Sequence, residues 1–406
     1  MPQQNGPITK RPNRLDPATV HDPYPRYERL RSEDPVHWNE GIQAWILTRH
    51  QDVLDALRDP RLSAERISAL MRQTGGGEDA EALERTFLGM MLFADPPDHT
   101  RLRSLANKAF TPGVLEGMRS QIQSTVDRLL DDVQGRGRME VISELAYPLP
   151  AMVISEILGV ADGDRDRFKK WSNDLAAFLG DIRAVSENFG PAQQSVAELT
   201  EFLRGIVAQR RTEPRNDLLS ALVMAEDQGD SFTEDELYSM CILLIFAGHE
   251  TTTNLIGNGI LALLRHPAQF EKLRRQPSLI ESAVEEILRY DGPVQTTSRT
   301  ALEDLQIGDK RIAKGDRLSL TLGAANRDPE HFSEPDRFDI ERNDGRHLGF
   351  GFGIHFCLGA ALARMEGQAA ISTVARRMPE LKLAEEELEW RDNPVLRGLK
   401  ALPVTF

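Results

Sequence analysis

Phe350-Gly351-Phe352-Gly353-Ile354-His355-Phe356-Cys357-Leu358-Gly359 is the stretch on which the reading of this chain turns. It holds one of only two cysteines in 406 residues, too few for a disulfide framework or a four-ligand zinc cage. A disulfide to Cys241 is the alternative, but a single pair in an acidic chain without a secretory signal is expected reduced. Glycines at 349, 351, 353 and 359 let the backbone turn tightly and approach a flat ligand closely. The following run, Ala360-Ala361-Leu362-Ala363-Arg364-Met365-Glu366, reads as helix. Cys357 therefore sits at a helix N-terminus, where the dipole and free backbone N–H groups stabilise a thiolate and lower its pKa. Held among Phe350, Phe352 and Phe356, a thiolate of this kind suits an axial ligand to haem iron. The competing reading is a small buried hydrophobe in a Gly-rich turn.

Upstream, residues 234–265 read as one long helix. Thr233 and Glu236 form a capping box, with Phe232 placed to staple onto Leu237, and Pro267 follows its end. At about 1.5 Å per residue it spans roughly 48 Å. Its centre, Met240-Cys241-Ile242-Leu243-Leu244-Ile245-Phe246-Ala247, is apolar all round and so is expected buried all round. Polar residues then interrupt it: Gly248-His249-Glu250-Thr251-Thr252-Thr253-Asn254. Buried without partners they would cost several kcal/mol, and Gly248 costs about 1 kcal/mol of helix propensity against Ala. Two local rules broken at one place mark a functional site. Thr251 can bond back to the Ala247 carbonyl and open the turn, leaving room beside Gly248 for a diatomic ligand and a water. A kinked core helix is the plainer alternative.

The pattern Phe-x-x-Gly-x-x-x-Cys-x-Gly, filled by Phe350, Gly353, Cys357 and Gly359, resembles the haem-binding signature of the cytochrome P450 family. The resemblance runs from about residue 15 to the end. It implies that Cys357 ligates the iron of haem b (iron protoporphyrin IX), with Phe350, Gly351 and Gly359 shaping the loop around it. Ala247-Gly248-x-Glu250-Thr251-Thr252 is similar to the family's acid–alcohol pair. By resemblance Thr251 hydrogen-bonds dioxygen and holds a water, and Glu250 passes protons inward for O–O cleavage. Ala247 and Gly248 would lie against the cofactor. His99 and Arg103, one helical turn apart, match the propionate-binding His-x-x-x-Arg. Arg299 and His355 fill the remaining propionate positions, although relatives often carry Arg where His355 stands. Glu286 and Arg289 match Glu-x-x-Arg, a structural lock completed by Arg337 or Arg342, a choice the sequence leaves open. Glu116/Arg119 and Glu201/Arg204 fit the same pattern and read as solvated pairs.

The remainder of the chain agrees with one large unit. No linker, repeat or low-complexity block divides it, so 15–406 reads as a single domain behind a flexible tail at 1–14. Helical periodicity dominates, over 23–32, 50–58, 116–133, 144–158, 164–179, 190–211, 215–226, 234–265, 267–275, 278–290 and 359–377. Strands are few: a hairpin of Val36–Asn39 and Ala44–Leu47, and a second β region at Leu305–Ile307, Arg311–Ile312 and Arg317–Leu322. The fold class is mainly α with a small β-rich part, which the resemblance makes the cytochrome P450 fold, an α-helical prism around haem. A net charge of −14 argues against nonspecific nucleic-acid binding. The polar N-terminus lacks an apolar core and no uninterrupted apolar run reaches membrane-spanning length, so a soluble, cytoplasmic monomer is expected.

Candidate pocket residues are Met90, Met91, Leu92, Phe93, Phe178, Leu243, Leu244, Ala247, Val294 and Leu396, which together fit an apolar small molecule. Arg66, Arg72 and Arg85 are placed to hold a carboxylate at an access channel, so fatty acids remain candidates. Cys241 reads as inert core. No flavin or ferredoxin domain is present, so the resemblance implies a separate ferredoxin or flavodoxin-type donor with its reductase. Arg101, Lys108, Arg346 and Arg364 are the expected docking patch. The expected activity is monooxygenation, hydroxylating or epoxidising an apolar substrate with dioxygen. A peroxide-driven peroxygenase and a non-catalytic haem sensor or carrier are the alternatives. The Glu250–Thr251 pair argues against both, since neither needs a proton relay.

Overall fold

A computed structural model describes residues 19, 21–71, 78–159, 165–180, 185–215, 217–227 and 229–406. The tail expected at 1–14, Arg72 and the Gly75-Gly76-Gly77 loop lie outside the described residues. The architecture follows from the helix Glu234–Arg265, which occupies the centre of the larger of two apolar cores. Thr233 and Glu236 close the expected capping box in both directions, and the helix runs its full 32 residues without a break. Around it pack Pro148–Ile157, Arg165–Gly180, Val185–Thr212, Ile280–Tyr290 and Ala360–Arg377. Close approach is possible because side chains are absent where helices cross. A Cβ on Gly259 would meet Ile287 and Ile371 at 3.0 Å, one from each of two neighbouring helices. The central helix is thereby locked to Ala360–Arg377, the helix that follows the cysteine loop.

The second, smaller core lies beneath a five-stranded sheet ordered Val36–Asn39, Ala44–Leu47, Arg317–Thr321, Thr296–Ala301, Leu62–Ser63. The expected hairpin forms with the register Val36 opposite Leu47. Arg317–Thr321 adds to it in parallel and pairs antiparallel with Thr296–Ala301, setting Leu318 opposite Arg299. A three-stranded sheet of Lys382–Leu383, Pro403–Thr405 and Arg138–Glu140 closes the C-terminus against the helical core.

Several boundaries move for identifiable reasons. The helix expected from 144 divides into a π-helical turn at Ile142–Ala146 and an α-helix at Pro148–Ile157, since Pro148 supplies no N–H to continue the ladder. The helix expected from 190 begins at Val185 and carries Pro191 inside it. The one expected over 215–226 shrinks to Leu218–Val223, where Asp217 accepts the Ser220 N–H as cap. The strand Thr296–Ala301, short and Thr-rich without clear alternation, went unread, although it carries Arg299. Among the described residues no helix is long and apolar enough to cross a membrane.

Candidate active site

The cysteine loop is a folded turn. Gly351 and Gly353 take φ of 68° and 71°, values that an L side chain rarely adopts. Gly351 N–H donates to the Leu348 carbonyl at 2.8 Å, and Cys357 N–H to the Phe350 carbonyl at 3.0 Å. A Cβ on Gly353 would meet the Leu57 carbonyl at 2.9 Å, so the loop lies flat on the helix His50–Arg58. Cys357 precedes the helix Ala360–Arg377 and is a free, partly exposed thiol. Its acidity differs from the expectation. Burial pushes the Cys357 thiol up, while the Gly359 N–H, Arg103 and Arg364 pull it back only in part. The helix terminus alone does not make a thiolate here, because desolvation of the charged form is the larger effect. A bound cation would reverse that balance. Cys241 is fully buried in the central helix and its thiol is pushed up to about 12, as expected of inert core.

Beside the loop stands a concentration of basic side chains. His99, buried at the start of the helix Asp98–Ala109, packs its ring 4.2 Å from that of His355. Its Nδ1 has no hydrogen-bond partner. Arg103, one turn on, donates from Nη1 to the Phe356 carbonyl at 2.7 Å. Arg299 is buried, and among the described residues its Nη1 bonds to the carbonyl of its neighbour Ser298 at 2.9 Å. Arg66 joins the group, its guanidinium 4.5 Å from the centre of the Phe93 ring. These groups depress one another. Burial first, then Arg299 and the other cations, hold His355 down to about 3. Burial, Arg299 and Arg317 bring Arg66 to about 9, and burial brings Arg299 to about 10. Asp95 offsets part of this charge, but it already accepts from Ser63 Oγ and from the Ala64 N–H. Enclosed cations with so little anion beside them, and a histidine with an orphaned ring nitrogen, call for an anionic ligand.

The central helix supplies the opposite wall. It is buried along most of its length, yet Leu244, Ala247, Gly248 and Thr251 keep accessible surface. That spacing is i, i+3, i+4, i+7, one face of a helix, so this face borders open space inside the protein. A Cβ on Gly248 would meet only Ile154, at 3.8 Å. Thr251 Oγ1 donates to the Ala247 carbonyl at 2.7 Å, the back-bond expected from the sequence. Glu250 is buried, and its Oε1 accepts from Arg391 Nη1 at 3.3 Å. Burial pushes the Glu250 carboxyl up and Arg391 opposes it. His249 turns away, its Nδ1 3.1 Å from Ser172 Oγ, and burial holds it down to about 4.

The remaining expected residues separate. Leu92, Leu244, Ala247, Val294 and Leu396 are partly exposed, and Val294 pairs with Leu396 in an isolated β-bridge. Met90, Met91, Phe93, Phe178 and Leu243 are buried; Phe178 stacks on Phe87 with 5.6 Å between ring centres. They form the wall behind the lining. Glu286 and Arg289 make a buried pair at 2.6 Å. Of the two arginines left open, Arg342 reaches Glu286, at 3.3 Å. Arg337 offers Arg289 its carbonyl, while its side chain lies at the surface with Glu334 and Asp339. Glu116/Arg119 and Glu201/Arg204 are solvated pairs. In the expected docking patch, Arg101 is tied to Glu236 and Asp230, and Arg364 to Glu285 by two hydrogen bonds. Arg346 instead lies over Phe352 and Phe356, and Arg58 also lies over Phe352. Sequence reading missed Arg391 and Arg317; neither stands in a motif, and only the folded chain brings them to the site.

Haem fits the residues present. The cation group would hold its two propionates, Cys357 would hold its iron, and the open face at Gly248 leaves room on the other side. The comparisons agree. The family model described as Cytochrome P450 matches residues 80–389. Cytochrome P450 107B1 of Saccharopolyspora erythraea is 44% identical, with 96% of each chain covered. The vitamin D(3) 25-hydroxylase of Pseudonocardia autotrophica is 42% identical over 95% of this chain and 94% of its own. Among solved structures, P450BioI in complex with hexadec-9Z-enoic acid ligated acyl carrier protein superposes with a TM-score of 0.90 at 40% identity, covering 97% of this chain and 100% of that one. The chain belongs to the cytochrome P450 family and is a haem-thiolate monooxygenase with the fold of that family.

Proposed function

We propose that this chain binds haem b through Cys357 and oxidises an apolar, extended small molecule, with Glu250 and Thr251 as its proton relay. Haem, when bound, supplies the dioxygen chemistry; the protein's residues orient, desolvate and deliver protons. Arg103 and Arg299 neutralise the propionates, and His99 and His355, held below their ordinary value by burial, hydrogen-bond to them. Thr251, whose hydroxyl back-bonds to the Ala247 carbonyl within an unbroken helix, lies on the partly exposed face shared with Gly248. Glu250, whose carboxyl burial keeps prone to hold a proton, feeds that hydroxyl from behind. The observation that carries the reading is the enclosed group of cations against the turn that holds a lone thiol.

Leu92, Leu244, Val294 and Leu396 supply an apolar lining, and related proteins have been crystallised with myristic acid or with an acyl chain on its carrier protein. A fatty acyl chain, or a polyketide of similar length, is the substrate class we favour. Electrons come from a ferredoxin or flavodoxin-type donor. The test uses the purified holoprotein with a surrogate ferredoxin and reductase. Cys357→Ser should abolish the thiolate-type carbon monoxide spectrum. Thr251→Ala should keep that spectrum but release peroxide in place of oxidised product, by about tenfold or more. A normal spectrum in the first variant, or unchanged peroxide release in the second, would refute the assignment.

A further inference from the structure

Glu250 is nearly sealed in the protein, yet a relay acid must be recharged from water. Its charged partner is Arg391, whose side chain remains 30% exposed while that of Glu250 is 7% exposed. Arg391 belongs to no motif and sits far along the chain, on the C-terminal hairpin Glu389–Lys400. That hairpin is held firmly. Trp390 bridges to Leu399, Arg391 N–H donates to the Gly398 carbonyl at 3.0 Å, and Lys400 N–H donates to the Glu389 carbonyl at 2.8 Å. Arg397 on the same hairpin bonds Asp291 at 2.6 Å and lies over the Trp390 ring, and its carbonyl accepts from Asn258 of the central helix at 3.1 Å. Gly398 lies so close to Asn254 that a Cβ there would fall 2.0 Å from Oδ1. The backbone under Arg391 is therefore fixed against the polar stretch of the central helix, and its side chain spans from that stretch to solvent.

We propose that Arg391 is the positioning residue of the proton relay: its guanidinium holds the Glu250 carboxyl at the solvent side of the central helix, so that protons enter along the C-terminal hairpin. The proposal rests on the reading of Glu250 as relay acid. The physical logic is a balance. Burial favours the protonated carboxyl and the guanidinium at 3.3 Å favours the ionised one, so Arg391 makes proton release possible from a site that would otherwise hold its proton. Neighbouring groups do not substitute for it. Burial holds His249 down to about 4 and its Nδ1 faces Ser172, and Lys169 lies over the Tyr147 ring, which packs against His249.

The test has two readouts on the holoprotein. In the ferric resting state, the Glu250 carboxyl is titrated by difference infrared spectroscopy, its band assigned by loss in Glu250→Gln. Arg391→Gln should move the midpoint up by about one pH unit or more, and Arg391→Lys should restore most of the shift. With surrogate redox partners, Arg391→Gln should raise peroxide release per electron pair several-fold and change its solvent deuterium effect. Arg391→Gln keeps the backbone bond to Gly398, and Arg391→Lys provides the charge-conserving variant should the first fold poorly. If Glu250→Gln itself leaves peroxide release unchanged, the relay reading fails. If Glu250→Gln uncouples but the midpoint and peroxide release are unmoved in Arg391→Gln, Arg391 is no part of the relay. An unshifted midpoint in Arg391→Gln overturns the proposal whatever the turnover shows.

Discussion

The cations at the site and the cations of the scaffold follow opposite electrostatic rules. Arg66 and Arg299 are enclosed with little anion beside them and His99 keeps an orphaned Nδ1, which is tolerable only where a ligand completes the site. Glu286, Arg289 and Arg342 are complete without one: Arg289 bonds both Glu286 oxygens and the carbonyls of Asn326, Pro335 and Arg337. Glu286→Ala leaves the buried Arg289 guanidinium without a carboxylate, while Arg342 keeps Asp344, and should cost about 3–5 kcal/mol in denaturant unfolding. Glu285 shows a pH-linked case. Burial pushes it up, but hydrogen bonds from Arg364 and His347 outweigh burial and hold it at about 2, below its ordinary 4.5. A carboxylate whose folded value is depressed stabilises the fold fully above pH 4.5 and loses that contribution as pH falls toward 2. At 40% exposure the effect is modest. Acid-unfolding curves of Glu285→Gln and wild type should differ by a constant amount above pH 4.5 and converge below it.

Among the elements, the central helix shows most clearly how local signals set position. Its start is specified by the reciprocal Thr233–Glu236 cap, and Glu236 is also the carboxylate that anchors Arg101 of the helix Asp98–Ala109. That second helix carries His99 and Arg103, so the cap of one site element registers another. Thr233→Ala removes the side-chain acceptor for the Glu236 N–H and should cost about 1 kcal/mol of stability, with the carbon monoxide spectrum unchanged. A collapse of that spectrum would mean that the cap sets haem geometry directly. The capping box, the apolar centre and the polar interruption were all legible in sequence because each is local. Thr296–Ala301 was not, because its only strong cue is β-branched threonine and its pairing partners lie far away in the chain.

On the scale of the whole molecule, ion pairing redraws the docking face expected from the sequence. Arg101 and Arg364 are engaged with carboxylates, whereas Arg58 and Arg346 flank Phe352 beside Ile354, which is 52% exposed at the tip of the cysteine loop. An apolar tip framed by guanidiniums, on a chain of net charge −14, would suit the acidic electron carrier proposed above. Reversing both charges (Arg58→Glu with Arg346→Glu) should slow electron transfer from a surrogate ferredoxin about tenfold at low salt and flatten its salt dependence. Equal rates and an unchanged salt slope would move the docking face elsewhere.

Sequence alone determined the family, the cysteine loop, the long helix and the polar stretch that holds Glu250 and Thr251, because each is written in residues adjacent in the chain or one helical turn apart. It also named His99, Arg103, Arg299 and His355 through their resemblance to a known pattern. Tertiary structure decided what depends on distant residues meeting. It selected Arg342 over Arg337 as the arginine that reaches Glu286, and it divided the apolar candidates into lining and core. It raised the Cys357 thiol, because desolvation is a property of the whole surroundings and outweighs a helix terminus. It brought Arg391 to Glu250 across 141 residues of chain, a contact that no local pattern encodes.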